Sequence, residues 1–194
     1  MLRAQDSCNY PGENPGTAQL VCGTNTIVQN IMPHCGNDNV SIPCTNSVPI
    51  QSSYFISNPF WYKIKCYKGG TLQFLIIPSV ITDHYDWMLF DVTGKNPSDV
   101  FRNSALLIAG NIAPRFGQTG TRQAGSSEIF TCNRQKAFAF SPLPTIITSH
   151  EYLLLVCHDD AAEAGYTLNF NGGTAVITDT TPPKITAAIS NCRG

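Results

Sequence analysis

Residues 60–78 read FWYKIKCYKGGTLQFLIIP, and the fold turns on how this stretch is parsed. Phe60, Tyr62, Ile64 and Cys66 alternate with Trp61, Lys63, Lys65 and Tyr67. A period of two marks a strand with one face buried. Lys68-Gly69-Gly70 is a turn signal, and Thr71–Ile77 resumes as an apolar strand stopped by Pro78. The two segments read as a β-hairpin.

Working outward, Tyr85–Val92 is the next strand, with Trp87 and Leu89 on one face and Met88 and Phe90 on the other. Ala105–Ala109 is short and apolar. Asn111 to Asn133 is rich in Gly, Thr, Ser and Arg and reads as a long surface loop. Glu151–His158 is a strongly apolar, central strand. After the polar tip Asp159–Ala164, Gly165–Phe170 reads as its hairpin partner, and Gly172-Gly173 leads into Thr174–Thr178.

Residues 6–57 are punctuated by prolines, with short strands expected near Gln19–Cys22 and Thr26–Asn30. Asp179–Pro183 reads as a linker, because paired prolines stiffen the chain and stop a ladder. Lys184–Ser190 beyond it reads as the first strand of a following module, and as the segment suited to edge-to-edge pairing. The expected division is therefore 1–5 as a signal-peptide remnant or residues added for expression, 6–57 as a loop-rich Cys-containing segment, 58–178 as the core, and 179–194 as linker and strand. The fold class expected is all-β, a two-sheet antiparallel sandwich with a loop-rich, disulfide-linked N-terminal segment.

Composition narrows the class. Of 194 residues, 42% are hydrophobic and only 13% charged, about half the ~25% usual in soluble domains. With 10% aromatics this is not the composition of a disordered chain. Twelve Lys and Arg against 13 Asp and Glu lack the basic excess of a nucleic-acid binder. No apolar run approaches the ~20 residues that span a bilayer, so no transmembrane segment is expected.

The eight cysteines are 8, 22, 35, 44, 66, 132, 157 and 192. An even count at wide spacings, with no CxxC, points to disulfides and an oxidising compartment. Cys8, Cys22, Cys35, Cys44, Cys66, Cys132, Cys157 and Cys192 are all candidates, and eight cysteines allow 105 connectivities. Short-range links Cys8–Cys22 and Cys35–Cys44 are the first expectation, since that stretch has little apolar surface to hold it.

Three segments in order, FWYKIKCYKGGTLQFLIIP (60–78), DHYDWMLFDVTG (83–94) and HEYLLLVCHDDAAEAGYTLNF (150–170), resemble the pre-peptidase C-terminal-like domain, a small extracellular sandwich of jelly-roll type. NPFWYKIKCYKGGTL with YDWMLFDVTGKNPSDVF is similar to the N-terminal modules of large Bacteroidetes surface proteins that carry a gliding-motility-associated sorting domain and leave by type IX secretion. The resemblance covers residues 18–178. It implies a secreted, cell-surface location and a non-catalytic part in adhesion, gliding or surface assembly, with neighbouring modules, glycans or other surface proteins as partners.

Specific chemistry is sparse. There is no GxSxG, HExxH, GxGxxG or P-loop. His150-Glu151 lacks a second His four residues on, and Cys157 and His158 adjoin in a strand and so face opposite ways. No enzyme is expected. Asp83 and Asp86 are the best cation candidates, since paired carboxylates in a turn suit structural calcium. The competing reading has Asp83 capping a turn and Asp91 starting the Thr93-Gly94 turn. Trp61 and Tyr67, in a dense aromatic stretch, are candidates for stacking on sugar rings. A carbohydrate-binding module, or an accessory domain of a secreted hydrolase, is thus the alternative. Thr180, in Asp179-Thr180-Thr181, resembles a Bacteroidetes O-glycosylation signal.

Overall fold

The computed structural model describes residues 8–36, 38–44, 51–125, 127–132, 138–158 and 164–179. The expectations for residues 1–5, the tip 159–163, Thr180, Lys184–Ser190 and Cys192 lie outside them. In chain order the strands are β1 Gln19–Leu20, β2 Ile27–Gln29, β3 Asn39–Cys44, β4 Gln51–Phe55, β5 Phe60–Lys65, β6 Gly70–Thr71, β7 Leu75–Pro78 and β8 Asp86–Asp91. They continue as β9 Leu107–Asn111, β10 Thr119–Thr121, β11 Phe130–Thr131, β12 Phe140–Ser141, β13 Thr145–Ile146, β14 Glu151–Cys157 and β15 Tyr166–Asn169. The only helical pieces among the described residues are three short 3-10 turns.

The expected two-sheet sandwich is present. One sheet has the order β1-β5-β14-β8-β9-β11 and the other β12-β10-β7-β15-β2. The central pairings are antiparallel, as β14 with β5 and β8. The outermost pairings are often not: β1 on β5, β11 on β9 and β12 on β10 are parallel.

Both expected hairpins are corrected. β5 and β7 lie in different sheets, and so do β14 and β15. The Gly69-Gly70 stretch is a corner where the chain changes sheet. Tyr67 and Lys68 donate their amides to Val176 O at 2.8 and 3.2 Å, and β6 pairs with β13. Period-two alternation says which residues share a face. It does not say which strand lies alongside.

The alternation itself sorts the interior. Phe60, Tyr62, Ile64, Trp87, Leu89, Leu154 and Val156 point between the sheets, where Phe74, Ile76, Tyr166, Leu168 and Phe170 meet them. Phe74 stands edge-on to Trp87 at 4.8 Å. The hydroxyls of Tyr62 and Tyr166 lie 2.8 Å apart and bridge the layers, so neither is buried without a partner.

The other face of the six-stranded sheet is also buried. Trp61, Met88, Phe90, Leu153, Leu155 and Cys157 form a second core under Val40, Ile42 and Cys44 of β3, Tyr54 of β4, and Val100 and Leu106 of the 3-10 turns. This cap comes from the segment read as loop. β3 alternates exposed and buried from Asn39 to Cys44 and pairs with β4 through a register shift. The long loop expected at 111–133 is corrected as well. It contributes β10 and β11, and Thr119, Thr121 and Thr131 are buried. Their hydroxyls are satisfied inside: Thr121 donates to Leu72 O at 3.1 Å and Thr119 to Ala139 O at 2.7 Å. Gly120 has φ +134°, and a side chain there would fall on the Phe74 carbonyl oxygen, so only glycine fits between these threonines.

Two disulfides hold the N-terminal segment, with pairings that correct the short-range expectation: Cys8–Cys35 and Cys44–Cys132. The second crosses from the cap to the β11 end, spanning a sequence separation of 88. Cys22 is an exposed free thiol and Cys66 a buried one. Cys157 is a buried thiol that contacts Asp86 O at 3.6 Å. Burial pushes the Cys66 thiol pKa up, against the lowering effect of the Lys68 amide. A buried thiol of raised pKa is an inert one.

Burial also raises the phenols of Tyr62 and Tyr166 well above their usual ~10. A raised folded-state pKa gives stability that is complete below the unfolded value and lost as pH climbs toward the folded one. Phenolate absorbance in an alkaline titration should therefore lag that of free tyrosine above about pH 10 and then rise together with loss of the circular dichroism signal. Smooth titration of every tyrosine near the free value, with the fold intact, would contradict the buried bridge.

Candidate functional site

The two aspartates named for calcium have different partners. Asp86 opens β8, and its Oδ2 accepts the Tyr54 hydroxyl at 2.6 Å beside Cys157, on the cap side of the sheet. Asp83 precedes β8 in a turn. Its Oδ2 lies 4.0 Å from His158 Nε2, whose ring packs edge-on against Tyr85 on the inter-sheet side at 4.9 Å. A Ca²⁺ shell takes 6–8 oxygens. Among the described residues no group of three or more His, Cys, Asp or Glu is arranged to hold a metal.

Asp91 does start its turn. Its Oδ1 accepts the Thr93 amide at 3.1 Å and hydroxyl at 2.6 Å, and its Oδ2 meets His150 Nδ1 at 2.7 Å. Burial works to raise the Asp91 pKa. The bonds from Thr93 and His150 outweigh it and hold the carboxyl below its usual range.

Trp61 is only 1% exposed. It packs on Phe90 at 5.9 Å and edge-on to Phe101 at 6.0 Å. The cap covers the face that alternation assigns to it, so its candidacy as a sugar platform is corrected. Tyr67 differs. It is 36% exposed, and the Lys65 ammonium stands 5.5 Å from its ring centre.

Tyr67 opens onto a groove of about 560 Å³ at the β1 margin of the six-stranded sheet. Leu20, Val21 and Cys22 form one wall, Lys63, Lys65 and Glu151 the floor, and Ile177, Thr178 and Asp179 the other wall. The sequence builds this place for simple reasons. β1 lies parallel on β5, and the chain stays there when Val21 donates its amide to Lys63 O at 2.9 Å. No strand covers the other side of β1 among the described residues. The outward residues of β5 and β14 at this end are polar, and Lys63 pairs with Glu151 at 2.8 Å. The far wall is fixed by the backbone bonds of Val176 to Tyr67 and Lys68. Partial burial first, then the Asp179 carboxylate, raise the Tyr67 phenol, with a smaller contribution from Cys22.

The groove thus offers an aromatic ring, an exposed leucine, an ion pair, a thiol and an open strand edge. These are the elements of a contact surface. Reading along the chain found Tyr67 but not its company, which comes from three segments joined by sheet pairing. Asp83 and His158 were equally invisible as neighbours, since 75 positions separate them in the chain.

No protein-family model, curated protein or solved structure matches this chain.

Proposed function

We propose that this chain is a non-catalytic extracellular module of a secreted bacterial cell-surface protein, acting in adhesion, gliding or surface assembly through contacts with neighbouring modules and other surface molecules. The observation that carries this reading is the pair of disulfides, Cys8–Cys35 and Cys44–Cys132, which tie irregular N-terminal segments to the sandwich. Such bonds persist in oxidising compartments and are rare where glutathione keeps thiols reduced. The resemblance of residues 60–78, 83–94 and 150–170 to exported jelly-roll modules points the same way. No helix of the described chain is long and apolar enough to cross a membrane. The glycan-binding alternative loses its main residue with the burial of Trp61.

The mechanism is mechanical. A two-layer scaffold with both faces of its larger sheet covered resists local opening, and the covalent links keep the cap in place away from the cell's reductants. Protease shaving of intact cells that produce the native protein tests the location. Release of fragments of this chain into the medium, with both disulfides intact, is expected. Full protection until lysis, with reduced thiols, would overturn the reading.

A further inference from the structure

Asn171-Gly172 is the one Asn-Gly pair in the chain. It lies where the chain leaves β15 and returns to the corner at residues 67–72. The fold demands this glycine. Its φ is +105°, and a Cβ there would stand 2.6 Å from Gln73 Oε1, so a residue with a side chain is strained. The same lack of a side chain leaves the Gly172 amide nitrogen open to the carboxamide of Asn171. Both residues are exposed. Among the described residues nothing accepts the Gly172 amide proton and nothing binds the Asn171 carboxamide. Asn171 donates only its main-chain amide, to Asn169 Oδ1 at 2.8 Å.

Other asparagines are better guarded. Asn14, Asn58 and Asn96 precede prolines, whose nitrogen carries no proton to lose. Asn103, before Ser104, holds the Ala105 amide on its Oδ1 at 3.1 Å. Asn111 is buried, with its Oδ1 on the Ala113 amide at 2.9 Å.

The chain around Asn171 is anchored on both sides. Asn169 pairs with Leu75, and Gly173 bridges Leu72. Phe170 between them is 2% exposed, its ring 6.1 Å from that of Phe74. Farther on, Thr174 and Ala175 donate their amides to Thr71 O at 2.9 and 3.0 Å, and Val176 donates to Lys68 O at 2.9 Å. This seam fixes the groove wall at Ile177 and Thr178. An extra main-chain atom at 171 would fall between two fixed pairings.

We infer that Asn171 is a site of spontaneous deamidation, and that its isoaspartyl product loosens the seam from Gly173 to Val176. In the step, the Gly172 amide nitrogen loses its proton and bonds to Asn171 Cγ. The Cγ–Nδ2 bond breaks, and ammonia leaves with that proton. Water then opens the cyclic imide at either carbonyl. One opening gives aspartate. The other routes the main chain through Cβ and Cγ and gives isoaspartate. One water is consumed and one ammonia released, and nothing is oxidised or reduced. The reaction needs only water, so the inference does not depend on the exported location. It gives the groove wall a chemical lifetime.

The test is peptide mapping of the full chain aged in neutral buffer, folded and, in parallel, in denaturant. Electron-transfer fragmentation distinguishes aspartate from isoaspartate at 171. Asn171 is expected to be the first asparagine converted in the folded chain, mostly to isoaspartate. Its rate should lie within roughly tenfold of that in denaturant, as for a segment of low local stability. Conversion confined to the denatured chain, or another asparagine reacting first in the folded one, overturns the site. Hydrogen exchange then compares the aged chain with an Asn171→Asp variant, which carries the new charge on an unaltered backbone. Protection of the Thr174, Ala175 and Val176 amides should be lost in the converted fraction and kept in the variant. Equal protection before and after ageing, or the same loss in Asn171→Asp, overturns the loosening. An Asn171→Gln chain should age with neither conversion nor loss of protection; if its seam loosens on ageing, isoaspartate is not the cause and the inference fails.

Discussion

Replacing Cys44 and Cys132 together with serine is expected to destabilise the oxidised chain by about 4–5 kcal/mol, the chain-entropy value for a loop of this length. The bond closes a sequence separation of 88, against 27 for Cys8–Cys35. Removing the shorter link should cost about 3–4 kcal/mol on the same basis. Marginal stability of ~5–15 kcal/mol makes either loss large. The longer link also anchors the end of β3, whose Val40, Ile42 and Cys44 cover Trp61, Leu153 and Leu155. Denaturant unfolding of the two double variants checks both size and order. A smaller cost for the longer loop would mean that the cap is held by packing rather than by its covalent tie.

Trp61→Ala is expected to cost about 3–5 kcal/mol, the range for emptying a large aromatic site in a packed core. Trp61 lies between β5 and the 3-10 turn at Pro97–Phe101, touching Phe90 and Phe101. In a chain of this size the loss lowers the melting temperature by ~2–4 °C per kcal/mol. Thermal unfolding measures it. A variant that melts like the parent would restore Trp61 as a surface residue. By contrast Tyr67→Ala, at the groove, is expected to change stability by less than about 1 kcal/mol, as surface substitutions usually do.

What the chain discloses before folding is face, not neighbour. Trp87 and Leu89 part from Met88 and Phe90 as alternation requires, and the two sets enter different cores. The unbroken apolar run of β14 already implies cover on both sides, the mark of a doubly buried strand. Its cover could not be found by pattern, because β3 and β4 lie among prolines, serines and asparagines. Buried threonines hide for a related reason. Thr119 and Thr121 look like loop residues, and only distant carbonyls, at Ala139 and Leu72, make their burial tolerable. The crossing from β5 to β7 escaped because a glycine-bearing corner and a hairpin turn share the same residue types. Cysteine pairing is not encoded in spacing at all. The groove shows the same limit: Tyr67 is readable, but its walls at Leu20 and Asp179 meet only through tertiary pairing.

The six-stranded sheet is buried on both faces because a covalently tied cap lies over one of them. Hydrogen exchange on the native chain, before and after reduction of the two disulfides, tests this most directly. In the oxidised chain the amides of Leu153–Val156 and of Val40–Ile42 should all be strongly protected. After reduction, exchange should accelerate first at Val40–Ile42, with β14 following. Fast exchange at Val40–Ile42 in the oxidised chain, or profiles that reduction leaves unchanged, would contradict it.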